Sequence, residues 1–128
     1  MSKPHREALI AAGQPVPNFV LGTFLADTGA SVTCVDPGLV APLSLTPTGV
    51  ANMMTPSTNG GTHSCYQYDV ALFIPPTKPT DLGHFVDALP VMETHLRSQG
   101  IDGLLGRDVL QSCVLISNGP SGIWTLAF

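Results

Sequence analysis

The chain has 128 residues and a mass of 13.4 kDa, enough for one compact domain and too little for two full lobes. Hydrophobic residues make up 44% and charged residues 11%, with a mean hydropathy of +0.28, which excludes disorder as the main state. Nine Asp and Glu against five Lys and Arg give a net charge of −4. The cations Lys3, Arg6, Lys78, Arg97 and Arg107 are scattered, so no phosphate-binding patch forms and nucleic acid is not an expected partner.

In chain order, residues 1–12 read as an N-terminal arm. Glu7 to Ala12 are good helix formers that stop at Gly13, and this end is expected to be loosely held. The apolar stretch before Gly13 is too short for a signal-peptide core. No run approaches the ~20 apolar residues that span a bilayer, so the expectation is a soluble, cytoplasmic protein with no membrane partner. Residues 13–128 form one domain, in which 13 Gly and 12 Pro over the whole chain punctuate segments rich in Val, Ile, Leu, Phe and Thr. That is the pattern of a mostly β fold. Strands are predicted at 16–26, 31–35, 49–55, 63–74, 85–91, 103–105, 113–117 and 123–128. Short helices are predicted at 93–99 and 107–112. Pro56-Ser57-Thr58-Asn59-Gly60-Gly61 has the composition of a hairpin tip. The proline-rich 75–81 stretch reads as an exposed connection.

Cys34, Cys65 and Cys113 are odd in number and widely spaced, which suggests buried free thiols in place of disulfides. His5, His63, His84 and His95 contain no i,i+4 pair and no H-E-x-x-H motif, so neither a metal nor another cofactor is expected. The chemistry-bearing segment is Phe24-Leu25-Ala26-Asp27-Thr28-Gly29-Ala30-Ser31, where an apolar strand runs into an acid. Such an acid is costly unless it is paired, hydrogen-bonded or functional. On its own the motif reads first as an Asx turn with Gly29 at positive φ. Further along, Leu104-Leu105-Gly106-Arg107-Asp108 places an apolar pair, a glycine and a charged pair before the short helix.

Together these two segments resemble the retropepsin-like, single-domain aspartic proteases, and the pattern is nearest to the bacterial members of that family. Asn59-Gly60-Gly61 followed by Gln67-Tyr68-Asp69 and the apolar 70–74 run is similar to the family's flap and its returning strand, and residues 113–128 are similar to its C-terminal strands. The resemblance implies an all-β single-lobe barrel with a flap hairpin and one short C-terminal helix, active as a homodimer on a polypeptide substrate. Because the chain holds one Asp-Thr-Gly, the second carboxylate has to come from a second copy. Asp27 is then the acid/base that activates water. By resemblance Thr28 bonds across the dimer axis, Gly29 lets backbone approach the carboxylate, and Ala30 and Ser31 lie beside the substrate. Thr58, Asn59, Gly60 and Gly61 cover the substrate, while Leu104, Leu105, Gly106 and Arg107 support the loop.

Ser31 stands where many viral members carry an acid that pairs with the arginine corresponding to Arg107. The partner of Arg107 is therefore Asp36, Asp108 or a main-chain carbonyl. Met53 and Met54 either line a pocket or fill the core. Leu25, Val32, Ile74, Leu104 and Leu105 read as core near the cleft. Trp124, Leu126 and Phe128 share one face of an apolar strand, and Trp124 either closes the monomer core or meets the second copy. Two other classes compete. A retropepsin-fold module that dimerises and binds peptide without cleaving is one. The other is a serine hydrolase, for which Gly119-Pro120-Ser121-Gly122 lacks the G-x-S-x-G spacing.

Overall fold

The computed structural model describes residues 1–54 and 61–128. Strand accounts for 37% and helix for 19% of the described residues, and the main sheet curls into a half-barrel, so the expected mostly β class is met. The elements are α1 (Lys3–Ala11), β1 (Phe24–Ala26), β2 (Cys34–Val35), α2 (Pro37–Val40), β3 (Gly49–Met53), β4 (His63–Ile74), β5 (His84–Glu93), β6 (Gly103–Leu105), α3 (Arg107–Leu110), β7 (Val114–Asn118) and β8 (Ile123–Ala127). Single 3-10 turns lie at Ala41–Leu43 and Arg97–Gln99. No helix among the described residues is long and apolar enough to cross a membrane.

Six strands pair in the order β1-β6-β2-β5-β4-β3, and β7 and β8 form a separate hairpin. β1 runs parallel to β6, while β6 and β2 are antiparallel. The long β4–β5 hairpin follows from alternation: Tyr68 and Val70 face Val91 and Leu89 across the ladder, and all four are buried. With Val35, Leu105, Leu39, Val40, Val109 and Leu110 they form the core between one face of the sheet and the helices α2 and α3. Burying side chains of this size stabilises by ~1.5–3 kcal/mol each.

Tyr68 ends this core with its hydroxyl donating to Glu93 Oε2 at 2.8 Å. Burial, reinforced by that bond, pushes its pKa up to about 12 from 10. Above pH 10 the unfolded chain sheds this proton while the folded chain keeps it, so stability is expected to fall as pH rises from 10 towards 12. A thermal melt series over this range checks it, and Tyr68→Phe is expected to remove the Tyr68 component of the slope.

Three expectations are corrected. The 16–26 stretch yields only Phe24–Ala26 as strand; among the described residues those before it find no partner strand, and Phe19 and Leu21 are each 85% exposed. The helix expected at 93–99 shrinks to the turn Arg97–Gln99, because Glu93 continues β5 opposite Val35 and Thr94 N donates to Val35 O. The N-terminal arm stops at Gly13, with φ +66°, as its composition predicts, but it is not loose at its start. The β4–β5 register shifts between Val70 and Leu72, and there Ala71 N donates to Met1 O at 2.8 Å while Ser2 N donates to Asp69 O at 3.0 Å.

Candidate active site

β1 ends at Ala26, and the next residue, Asp27, donates its N–H to Leu105 O at 3.0 Å. The loop that follows is folded by Asp27 itself: Oδ1 accepts from Gly29 N at 2.8 Å, and the carbonyl accepts from Ala30 N at 3.2 Å. Gly29 is not among the glycines with positive φ, so its role differs from that of a turn glycine. A Cβ there would stand 3.1 Å from Asp27 Oδ1, crowding the carboxylate. Asp27 and Ala30 are half-buried, and Thr28, Gly29 and Ser31 are exposed.

The Leu104–Asp108 segment holds this loop from the other strand. Arg107 N donates to Ala30 O at 2.9 Å, and Arg107 Nη1 donates to Thr28 O at 2.9 Å. Of the partners open to Arg107, a main-chain carbonyl is thus the one used. Arg107 is exposed. Gly106 is required by packing: a Cβ would come within 2.5 Å of the Val32 carbonyl carbon and 2.9 Å of Thr33 N, so β6 and the 30–33 loop cross backbone against backbone.

The sequence reading missed the residue at the centre of this crossing. Thr33 is 0% exposed; its Oγ1 donates to Asp108 Oδ1 at 2.7 Å and accepts from Gly106 N at 3.1 Å. Thr33 N donates to Asp108 Oδ2 at 2.8 Å. The available signal was a lone hydroxyl in the apolar run Val32-Thr33-Cys34-Val35, because a buried hydroxyl needs partners. Asp108 is therefore spent on Thr33 and the start of α3, where Val109 N also reaches its Oδ1 at 2.9 Å.

The register places Leu25, Leu104, Cys34, Met92 and Gln67 side by side across four neighbouring strand pairs, on the face opposite Leu105 and the core. Asp27 follows Leu25 by two residues, on this same side. Leu25 is 53% exposed, so it lines the open face and is not core, while Leu104 is half-buried. Val32 is also half-buried, whereas Ile74 packs on the core and Leu105 belongs to it. Cys34 is buried, and burial pushes its thiol pKa up; the same holds for Cys65. Met53 Sδ lies 3.9 Å from Thr94 Oγ1, and Met54 is 73% exposed. Of the expected covering residues, Gly61 is exposed just before β4, and Thr58, Asn59 and Gly60 lie outside the described residues.

No family model and no curated protein matches this chain. The geometry stands without them: one carboxylate, oriented by a main-chain N–H, on a loop fixed by two parallel strands. Among the described residues no group of three or more His, Cys, Asp or Glu is placed to hold a metal. The serine alternative gains nothing either. Ser112 Oγ is 3.5 Å from His84 Nε2, but it donates to Val109 O at 2.8 Å, and the His84 ring packs on Phe128 with centroids 5.2 Å apart.

Proposed function

We propose that this chain is a retropepsin-like aspartic endopeptidase that acts as a homodimer, with Asp27 of each copy supplying one carboxylate. The observation that carries the reading is the joining of Asp27-Thr28-Gly29-Ala30 to Leu105-Gly106-Arg107 through three hydrogen bonds, Asp27 N to Leu105 O, Arg107 N to Ala30 O and Arg107 Nη1 to Thr28 O. Peptide hydrolysis needs a base to take a proton from water and an acid to protonate the carbonyl oxygen. Two facing carboxylates that share one proton supply both, since they do not ionise together easily. The ionised carboxylate takes the proton as the water oxygen bonds to the carbonyl carbon, and the other protonates the carbonyl oxygen. Return of a proton to the amide nitrogen then releases the two fragments. Leu25, Leu104 and Met92 give the neighbouring face an apolar lining that suits apolar side chains of an extended peptide.

The surface supports a second copy. The chain exposes 8299 Å², against about 6,500 Å² for a compact monomer of this mass. Trp124 is 66% exposed and does not close the monomer core; on the opposite face of the same hairpin Val114, Ile116 and Ile123 are each more than half exposed. A patch of that kind marks an association surface.

The test is digestion of an unbiased peptide mixture by the full chain, read by mass spectrometry from about pH 4 to pH 7, the range in which a shared-proton pair works. Cuts flanked by apolar residues, with specific activity that falls on dilution, are expected. Peptide binding without cleavage would favour the inactive binding module. Trp124→Glu is expected to weaken dimerisation by roughly 30-fold or more, about 2 kcal/mol for a central aromatic, as measured by analytical ultracentrifugation.

A further inference from the structure

β1 is three residues long, lies at the edge of the sheet and, among the described residues, pairs there with β6 alone, through Phe24–Gly103, Leu25–Leu104 and Ala26–Leu105. Three residue pairs make a weak ladder, yet they deliver Asp27. At the end away from Asp27, a ring of charged side chains closes the pair. Asp102 N donates to Thr23 O at 2.8 Å, and Thr23 N returns a bond to Asp102 Oδ2 at 2.9 Å. The other oxygen, Asp102 Oδ1, accepts from Arg97 Nε at 2.9 Å.

Arg97 in turn is tied to Asp36, the residue joining β2 to α2. Asp36 Oδ2 accepts from Leu96 N at 2.8 Å and Arg97 N at 2.9 Å, its Oδ1 accepts from Gly38 N at 2.8 Å, and Arg97 Nε lies 3.8 Å from Oδ1. Asp36 N closes the ring by donating to Asp102 O at 2.7 Å. The guanidinium lies against Gly38, where a Cβ would meet Nη1 at 2.4 Å.

We propose that Arg97 is a positioning residue for Asp27: by holding the Asp102 carboxylate in the orientation that clasps Thr23, it fixes the register of β1 on β6 and so the place of the Asp27 loop. Its kinetic consequence rests on the peptidase reading; its structural consequence does not. Thr23 precedes Asp27 by four residues, roughly 13 Å of extended chain, and a slip of one residue turns every β1 side chain to the other face. Isolated surface ion pairs contribute little. This one differs because Asp36 is only 5% exposed and both acids also accept main-chain N–H groups. The Arg97 and Leu96 N–H groups hold the Asp36 carboxyl below its usual range, and the Thr23 N–H with Arg97 does the same for Asp102. The ring thus stays charged in mild acid.

Arg97→Met and Arg97→Lys in the full chain, with amide hydrogen exchange and steady-state kinetics, test this. In Arg97→Met the Thr23 and Asp27 amides are expected to exchange at least about tenfold faster while the β4–β5 ladder is unchanged, with partial rescue in Arg97→Lys. On the peptidase reading kcat falls about tenfold or more and KM moves less than about twofold. Unchanged exchange at Asp27, or equal acceleration throughout the chain, overturns the proposal. So does an unaltered kcat in an active enzyme. Faster exchange confined to Thr23 and Asp27 in a protein that never cleaves upholds the clasp and sinks the peptidase reading. Asp102→Asn, which keeps an acceptor for Thr23 N but loses the charge facing Arg97, is the milder variant; the same local loosening is expected, and its absence counts against the proposal.

Discussion

Asp27→Asn is expected to abolish cleavage while leaving the fold and the dimer intact. Asparagine keeps an oxygen that accepts from Gly29 N, the bond that orients residue 27 at 2.8 Å, so the loop retains its geometry. It neither takes a proton from water nor returns one to the leaving nitrogen. Each proton-transfer role contributes about 10²–10⁴-fold, and the carboxylate pair supplies both, so the loss is expected to reach about 10⁴-fold or more. Mass-spectrometric cleavage assays of wild type and variant side by side, with circular dichroism and ultracentrifugation as controls, measure it. Undiminished cleavage by a folded Asp27→Asn dimer would refute the shared-carboxylate mechanism.

Gly106→Ala is expected to be among the most destabilising single changes in the chain. The added methyl has no rotamer with which to escape, because the atoms it meets at 2.5–2.9 Å belong to the Val32–Thr33 backbone. Relief requires β6 and the 30–33 loop to separate, which stretches the bonds from Gly106 N to Thr33 Oγ1 and from Arg107 N to Ala30 O. Overpacking against backbone costs about 3 kcal/mol or more, or roughly 10–15 °C in Tm for a domain of this length. Thr33→Val is a useful comparison, since it keeps the volume but strips Asp108 Oδ1 and Gly106 N of a partner. That change costs about 1–3 kcal/mol. A thermal melt of Gly106→Ala within a few degrees of wild type would contradict the close crossing.

The parts of this architecture that were legible from sequence are those governed by short-range chemistry. Alternation in 63–74 and 85–91 marks the β4–β5 hairpin, and Gly13 marks the end of α1. The pairing of Asp27 with the Leu104–Arg107 segment was legible only through resemblance, because nothing local to either segment says that they meet. What escaped has long-range causes. Val16 to Leu21 carry strand composition, but a strand needs a neighbour, and the sheet ends at β1. Asp36 entered only as an acid open to Arg107, yet its main partners are main-chain groups 60 and 61 residues away. For Arg107 the sequence left Asp36, Asp108 and a main-chain carbonyl open, and what decides among them is distant: Asp36 is taken by the Leu96 and Arg97 N–H groups and Asp108 by Thr33.

The solitary carboxylate at the end of β1 has a consequence for control. On the proposed reading a newly made chain carries half of a catalytic pair and is inert, however well folded. Encounter with a second copy is then the activation step. The rate of that step rises with the square of chain concentration, so the enzyme switches on over a threshold of abundance and off again on dilution.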